Sequence, residues 1–207
     1  MIVTSDKVVF RSAYEALQFA FNVSAQAYDR PLMNRMVDKM KGGDGLHGLD
    51  AAAQAGMIRA QVKALGKVSE AILTARFAPD SQPCTCGSPC CSKNRINIEW
   101  REAIGAVADH MRLTALRDCS TDSVLRSIYV TRYFTPKDKS ISMLKLSKER
   151  RVQESTAQSH YNRVSALLGG SKSNKVHTEG LEQSAMNRLE EKLKGLGVVD
   201  DAQGRDA

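Results

Sequence analysis

Apolar residues recur along most of the chain at intervals of three and four, the spacing that places them on one side of an α-helix, so the pattern predicts a succession of amphipathic helices. The first is expected over residues 12–28, with Leu17, Ala20, Phe21 and Ala25 on its inner face. Ser12 and Glu15 stand there in the order of a capping box, in which a hydroxyl and a carboxylate satisfy backbone donors at the helix start. Pro31 can open a short helix through Leu32, Met36 and Met40, because the first turn does not use the N–H that proline lacks. The glycine-rich residues 42–48 break it, and they lack the order and the preceding strand of a phosphate-binding loop. Residues 50–77 carry Ile58, Val62, Leu65, Val68, Ala71, Ile72 and Ala75 at helical spacing, with Gly66 as the break between two helices. A connector over 78–97 leads to a helix over 98–112 around Trp100, Ile104, Val107 and Met111. Ser120 is the expected N-cap of the next, through Val124, Ile128 and Tyr129 to an end near Pro136. After a linker at 169–173, Thr178 is expected to cap a last helix with Leu181, Ala185, Leu189 and Leu193 at strict spacings of four. That stripe could dock on the body of the protein or pair with a second copy. Gly195 and Gly197 end the helix, and 198–207 reads as a loose tail. No internal repeat is present.

The chain has 207 residues, 42% of them hydrophobic and only 5% aromatic. That is enough apolar material for a core but a poor composition for an all-β sandwich. The expected fold is mainly α: a helical N-terminal body over 1–78, a cysteine-rich metal loop and following helix over 79–118, a helix-turn-helix region over 119–170, and a linker, amphipathic helix and tail over 171–207. No apolar run approaches the ~20 residues needed to cross a bilayer, and residues 1–10 do not read as a secretion signal, which points to the cytosol.

Charge changes the picture through its distribution. Residues 131–175 hold ten Lys and Arg against three Asp and Glu, an excess equal to the +7 of the entire chain. A basic field so concentrated attracts a polyanion, and each cation that neutralises a phosphate adds salt-dependent affinity. A solvated basic surface would carry the same charge, so the fold of the window decides.

Four of the five cysteines, Cys84, Cys86, Cys90 and Cys91, fall between Pro83 and Ser92. In a reducing compartment such density is poorly explained by disulfides, and adjacent cysteines form a strained ring if bonded to each other. Structural Zn2+ is the better account: zinc takes four thiolate or imidazole ligands at ~2.3 Å for sulfur, and Gly87 and Pro89 supply turns. The spacing departs from paired C-x2-C knuckles, so Cys119 or His110 could replace one of the four. A redox-active loop and unligated thiols remain alternatives.

The basic window divides into a short helix, a turn and a longer helix between Ser140 and Leu168. Ser147 is small enough to let the two helices approach. Val152 follows the turn, and Ala157, Tyr161 or His160, Val164 and Leu168 continue a buried stripe. Gln153, Glu154, Ser155, Thr156, Gln158, Ser159, Asn162 and Arg163 then face outward, groups able to hydrogen-bond base edges and phosphates. The segment Val152-x-x-Ser155-Thr156-Ala157-x-x-His160, with Tyr133 and Phe134 ahead of it, resembles the helix-turn-helix in the fourth region of sigma factors and their LuxR-like relatives, over residues 120–168. It departs from that pattern at Arg151, where the turn usually has Gly, and at Ala157, where valine is usual. The resemblance implies DNA contacts at Ser155, Thr156, Gln158, Ser159, Asn162 and Arg163, with Lys145, Lys148, Arg150 and Arg151 beside the phosphates. A cysteine-rich loop ahead of such a motif is similar in architecture to phage late transcription regulators, including antitermination proteins of the Q type. That similarity implies a partner in RNA polymerase and a location in the host cell cytoplasm.

A different class, a zinc-stabilised helical adaptor binding protein through Leu181 to Leu193, would use the basic window only for solubility. His47, His110, His160 and His177 are scattered without recognisable Ser, Asp or Glu partners, so the pattern does not point to an enzyme.

Overall fold

The computed structural model describes residues 10–27, 49–84, 86, 92–136, 138–173 and 176–199. The expected helix from Pro31 through Met40 and the glycine-rich segment 42–48 lie outside the described residues. The chain is mainly α. Its described helices are α1 (Ala13–Ala27), α2 (Leu49–Lys63), α3 (Lys67–Phe77), α4 (Ile98–Leu113), α5 (Ser123–Phe134), α6 (Met143–Arg150), α7 (Glu154–Gly169) and α8 (Leu181–Gly195). Two short antiparallel hairpins join β1 (Ser81–Pro83) to β2 (Asn94–Ile96) and β3 (Ser171–Ser173) to β4 (Val176–Thr178). No helix among the described residues is long and apolar enough to cross a membrane.

The chain divides into two compact units that do not follow chain order. One takes the described residues of Met1–Leu65, Phe77–Asn97 and Met186–Ala207; the other takes Gly66–Arg76 and Ile98–Ala185.

In the first unit, α1 packs on α2. The Ser12 hydroxyl accepts the Glu15 N–H at 3.2 Å, while the Glu15 carboxylate reaches back to the N–H of Arg11, one residue before the cap. Ala13, Ala16, Leu17, Ala20 and Phe21 of α1 are buried, as are Ala55, Ile58 and Val62 of α2, and the Arg59 guanidinium lies 4.5 Å from the centre of the Phe21 ring. Gly66 breaks the chain between α2 and α3 with φ at +94°, a conformation that costs glycine little and other residues more.

The expected loose tail is corrected at its start. Phe10 forms a parallel bridge with Val199, its N–H donates to the Val198 carbonyl at 3.1 Å, and both valines are buried. The stripe on α8 is also spent within the chain. Ala185, Leu189 and Leu193 are each at most 1% exposed, so these three positions of the stripe are buried within the chain. Leucines spaced by four make one apolar ridge along a helix.

The connector over 78–97 is likewise more ordered than expected. Its strand register pairs Ser81 with Ile96, Gln82 with Arg95 and Pro83 with Asn94. Asn97 is buried and donates from Nδ2 to the Pro79 carbonyl at 2.8 Å, bracing the base of the hairpin. The Cys84 N–H donates to the Lys93 carbonyl at 2.8 Å, which draws the ends of the cysteine-bearing segment together.

In the second unit, α3, α4, α5, α6 and α7 contribute to one core that includes Ile72, Ile104, Val107, Met111, Tyr129, Leu146, Val164 and Leu168. Trp100 packs at its edge and donates from Nε1 to the Ala75 carbonyl at 3.2 Å. The N-cap of α5 is Asp122 and not Ser120: the Asp122 carboxylate accepts the Leu125 N–H at 2.6 Å, a charge-assisted cap. The Arg126 guanidinium turns back to the Thr121 carbonyl and fixes the same entry.

The expected linker after α7 and the expected cap at Thr178 are also corrected. Ser171, Lys172 and Ser173 pair with Thr178, His177 and Val176, so Thr178 belongs to a strand and α8 begins after Gly180. A Cβ on Gly180 would lie 2.3 Å from the Leu168 carbonyl oxygen, and one on Gly170 would lie 2.6 Å from that of Thr178. The two backbones meet at a distance that only glycine permits, which fixes the base of the hairpin at the end of α7.

Candidate nucleic-acid interface

Helices α6 and α7 are joined by a turn whose geometry follows from three residues. Ser142 caps α6, accepting the Lys145 N–H at 3.2 Å. Arg151 ends it in the left-handed conformation at φ 53° and ψ 37°, and its N–H donates to the Ser147 carbonyl. The Val152 N–H reaches the same carbonyl at 3.2 Å, completing the six-residue closure that commonly stops a helix. The departure noted at Arg151 therefore leaves the turn intact and places a non-glycine residue where glycine would be less strained.

The apolar stripe then sets the rotation of α7. Ala157, Val164 and Leu168 are fully buried and His160 is 8% exposed, so of the two candidates for that position it is His160 that faces inward. Tyr161 lies half-buried at the rim, with the Arg132 guanidinium 5.2 Å from the centre of its ring. Arg132 also donates to the Ile141 carbonyl and to Ser140 Oγ, tying α5 to the segment that leads into α6. In the sequence alone Arg132 reads as one more cation in a basic window.

The Tyr129 hydroxyl lies 3.4 Å from His160 Nδ1, with the rings edge to face at 5.9 Å. Burial, and to a lesser degree the Arg163 charge, push the His160 imidazole below its ordinary pKa and keep it neutral. Burial also pushes the Tyr129 phenol up to about 12, with Cys119 and Asp122 adding to the shift. Both groups are held in their uncharged forms at neutral pH.

With that side buried, Gln153, Glu154, Ser155, Gln158, Ser159, Asn162 and Arg163 are exposed on the other, and Thr156 is half-buried. Lys145, Lys148, Arg150 and Arg151 are exposed on α6 and the turn. Gln158 donates from Nε2 to Asn162 Oδ1 at 2.8 Å, so the two amides lie side by side on one face. The Arg163 guanidinium is 3.5 Å from Cys119 Sγ. Lys145 sits 3.8 Å from Glu149, both well exposed, a contact that water screens heavily. The side chain of Gln153 makes no capping hydrogen bond to α7, unlike Asp122 and Ser142 at the starts of their helices. A helix start of this kind presents backbone N–H groups and a partial positive charge.

Of the expected zinc ligands, Cys84 is half-buried and Cys86 exposed, while Cys90 and Cys91 lie outside the described residues. Among the described residues no group of three His, Cys, Asp or Glu side chains could hold a metal ion. His110 offers its backbone carbonyl to the Thr114 hydroxyl at 2.8 Å. Comparison with protein families, curated proteins and solved structures finds no match to the chain.

Two outcomes follow for the helix pair. Replacing Arg151 with Gly relieves the left-handed strain and should raise stability by about 1 kcal/mol, read as a higher urea midpoint with unchanged slope; a loss of stability would show that the Arg151 side chain makes a compensating contact. Because the folded pKa of His160 is depressed, its contribution is fully present above the ordinary imidazole value of ~6.5 and is lost as pH falls through the folded value. Thermal melts of the parent chain should therefore fall more steeply between about pH 7 and pH 5 than those of His160→Gln. Parallel curves would contradict the assignment.

Proposed function

We propose that the chain is a DNA-binding transcription regulator that inserts the start of α7 into the major groove, with α6 as the bracing helix of a helix-turn-helix. The observation that carries this reading is the split character of α7. Ala157, His160, Val164 and Leu168 are buried on one side, while Ser155, Gln158, Ser159, Asn162 and Arg163 are exposed on the other. Amides and hydroxyls at the start of a helix braced in this way have the reach and the donor–acceptor chemistry to read base edges.

In this reading Asn162 and Gln158 exchange their mutual hydrogen bond for the edges of bases, a small loss because the pair is exposed to water. Lys145, Lys148, Arg150 and Arg151 meet phosphates, and the N-terminal N–H groups of α7 favour a phosphate at the helix start. RNA polymerase is the proposed protein target, on the strength of the architectural similarity to phage late regulators and Q-type antiterminators, with the first unit as its platform. The competing adaptor reading relied on the stripe from Leu181 to Leu193, and the burial of Ala185, Leu189 and Leu193 removes most of that surface. Structural Zn2+ bound by Cys84, Cys86, Cys90 and Cys91 belongs to the same proposal. Its support is the β1–β2 register, which makes the four cysteines a single closed loop in the sequence between Pro83 and Asn94.

Binding to mixed-sequence duplex should weaken with added salt, with a log–log slope of about −4 to −5 if Lys145, Lys148, Arg150, Arg151 and Arg163 each neutralise one phosphate. Asn162→Ala should cost about 1–3 kcal/mol of preference for duplexes selected from a random pool and leave that slope unchanged. A flat salt response, or no enrichment from the pool, would sink the proposal. Metal analysis of the purified protein should find about one zinc per chain, reduced in Cys84→Ser; a metal-free chain with an undiminished melting temperature would remove zinc from the account.

A further inference from the structure

Helix α4 buries Ala103, Ile104, Val107, Ala108 and Met111 in the core of the second unit and exposes its opposite side. Along that side Ile98, Glu102, Gly105, Asp109 and Leu113 recur at intervals of three and four, flanked by Arg101, Ala106 and Arg112. The stripe begins and ends on large apolar side chains, Ile98 at 59% and Leu113 at 65% exposed. Its middle holds a glycine that the chain's own packing does not require. A Cβ on Gly105 would meet no atom within 4 Å, and its φ is not positive. Glycine inside a helix weakens it relative to alanine, and what it offers in return is close approach of another backbone.

The stripe is also self-complementary. From a midpoint between Gly105 and Ala106, Ile98 and Leu113 lie equally far on either side. When a second copy of α4 is laid antiparallel about that midpoint, Ile98 meets the partner's Leu113 at both ends and the small residues meet in the middle. At a rise of about 1.5 Å per residue, Arg101 and Glu102 of one copy then fall within about one turn of the partner's Asp109 and the partner's Arg112. Each half of the contact gathers two cations and two anions. The arginines there offset the repulsion between Glu102 and the partner's Asp109, which stand level with each other. Among the described residues, no ion pair within the chain engages Arg101, Glu102, Asp109 or Arg112.

We propose that the outer side of α4 is a dimer interface, on which a second copy of this chain docks antiparallel with Ile98 against the partner's Leu113 and Arg101 against the partner's Asp109. The contact is one helix wide, so pairing is weak, reversible and governed by protein concentration. It does not depend on the DNA-binding reading of α7. Where that reading holds, a twofold pair carries two copies of α7, the arrangement that reads inverted repeats.

The test is sedimentation equilibrium of the full chain, without DNA and at low ionic strength, at concentrations up to about 1 mM. The average mass of the parent should rise from 22.7 kDa toward twice that value. Arg101→Glu and Asp109→Arg, taken singly, each put three like charges in both halves of the contact and should raise the dissociation constant by about tenfold or more. Both positions are exposed, so the variants should keep the circular dichroism and melting temperature of the parent. Mixing the two variants in equal amounts should restore pairing, because each half of the mixed dimer again holds two cations and two anions. A parent that keeps the mass of one chain throughout overturns the proposal and leaves the DNA-binding reading standing. A mixture that stays monomeric while the parent pairs, or single variants that pair as tightly as the parent, overturns it as well.

Discussion

The exposed polar face of α7 depends on the burial of the opposite side of the same helix. An α-helix has one rotation about its axis for a given set of buried positions, and Ala157, His160, Val164 and Leu168 select it for α7 by packing into the core shared with Leu146, Tyr129 and Val130. The polar face is thereby determined without any contact of its own. Gln158, Ser159 and Asn162 are held outward because their neighbours are held inward.

Several weaker restraints sharpen that arrangement. Arg151 in its left-handed conformation sets the turn between α6 and α7, and Arg132 ties α5 to the chain entering α6. The neutral Tyr129–His160 pair fills the space between α5 and α7 and satisfies polar atoms that would be costly to bury alone. At the far end of α7, Gly169 leaves room for the Tyr133 hydroxyl, on which an added Cβ would press at 3.0 Å. Tyr133 in turn shares Glu182 with Arg76, whose guanidinium lies over the Phe134 ring at 5.0 Å. The junction of α3, α5 and α8 is therefore built from one carboxylate, one guanidinium and two rings.

The helices were legible in the sequence because their signal is periodic and local. Ser12 and Glu15, Gly66, and the stripes in α4 and α7 all lie where the spacing placed them. The hairpins were not legible, since strands of three residues are too short for alternation to be distinguished from a polar loop. Gly170 and Gly180 were the available clue for the second, as the closeness of two backbones demands glycine at both ends, but that contact is tertiary. The caps expected at Ser120 and Thr178 do not form for a related reason: Asp122 offers a stronger acceptor two residues later, and strand pairing claims Thr178 first. The outward face of α7 could be read from spacing alone, whereas the roles of Arg132 and Arg76 could not, because each depends on partners distant in sequence. The choice between docking and pairing for the α8 stripe depends on what covers it, which no local pattern records.

The most direct check on the orientation of α7 in a complex is dimethyl sulfate footprinting on duplexes that the full chain recovers from a random pool, because the guanine N7 that reacts lies in the major groove. Protection of guanines in one short block, lost when Asn162 is replaced by Ala, is the predicted result. Unprotected guanines throughout a bound duplex would contradict it, and the polar side of α7 would then be no more than a wet surface.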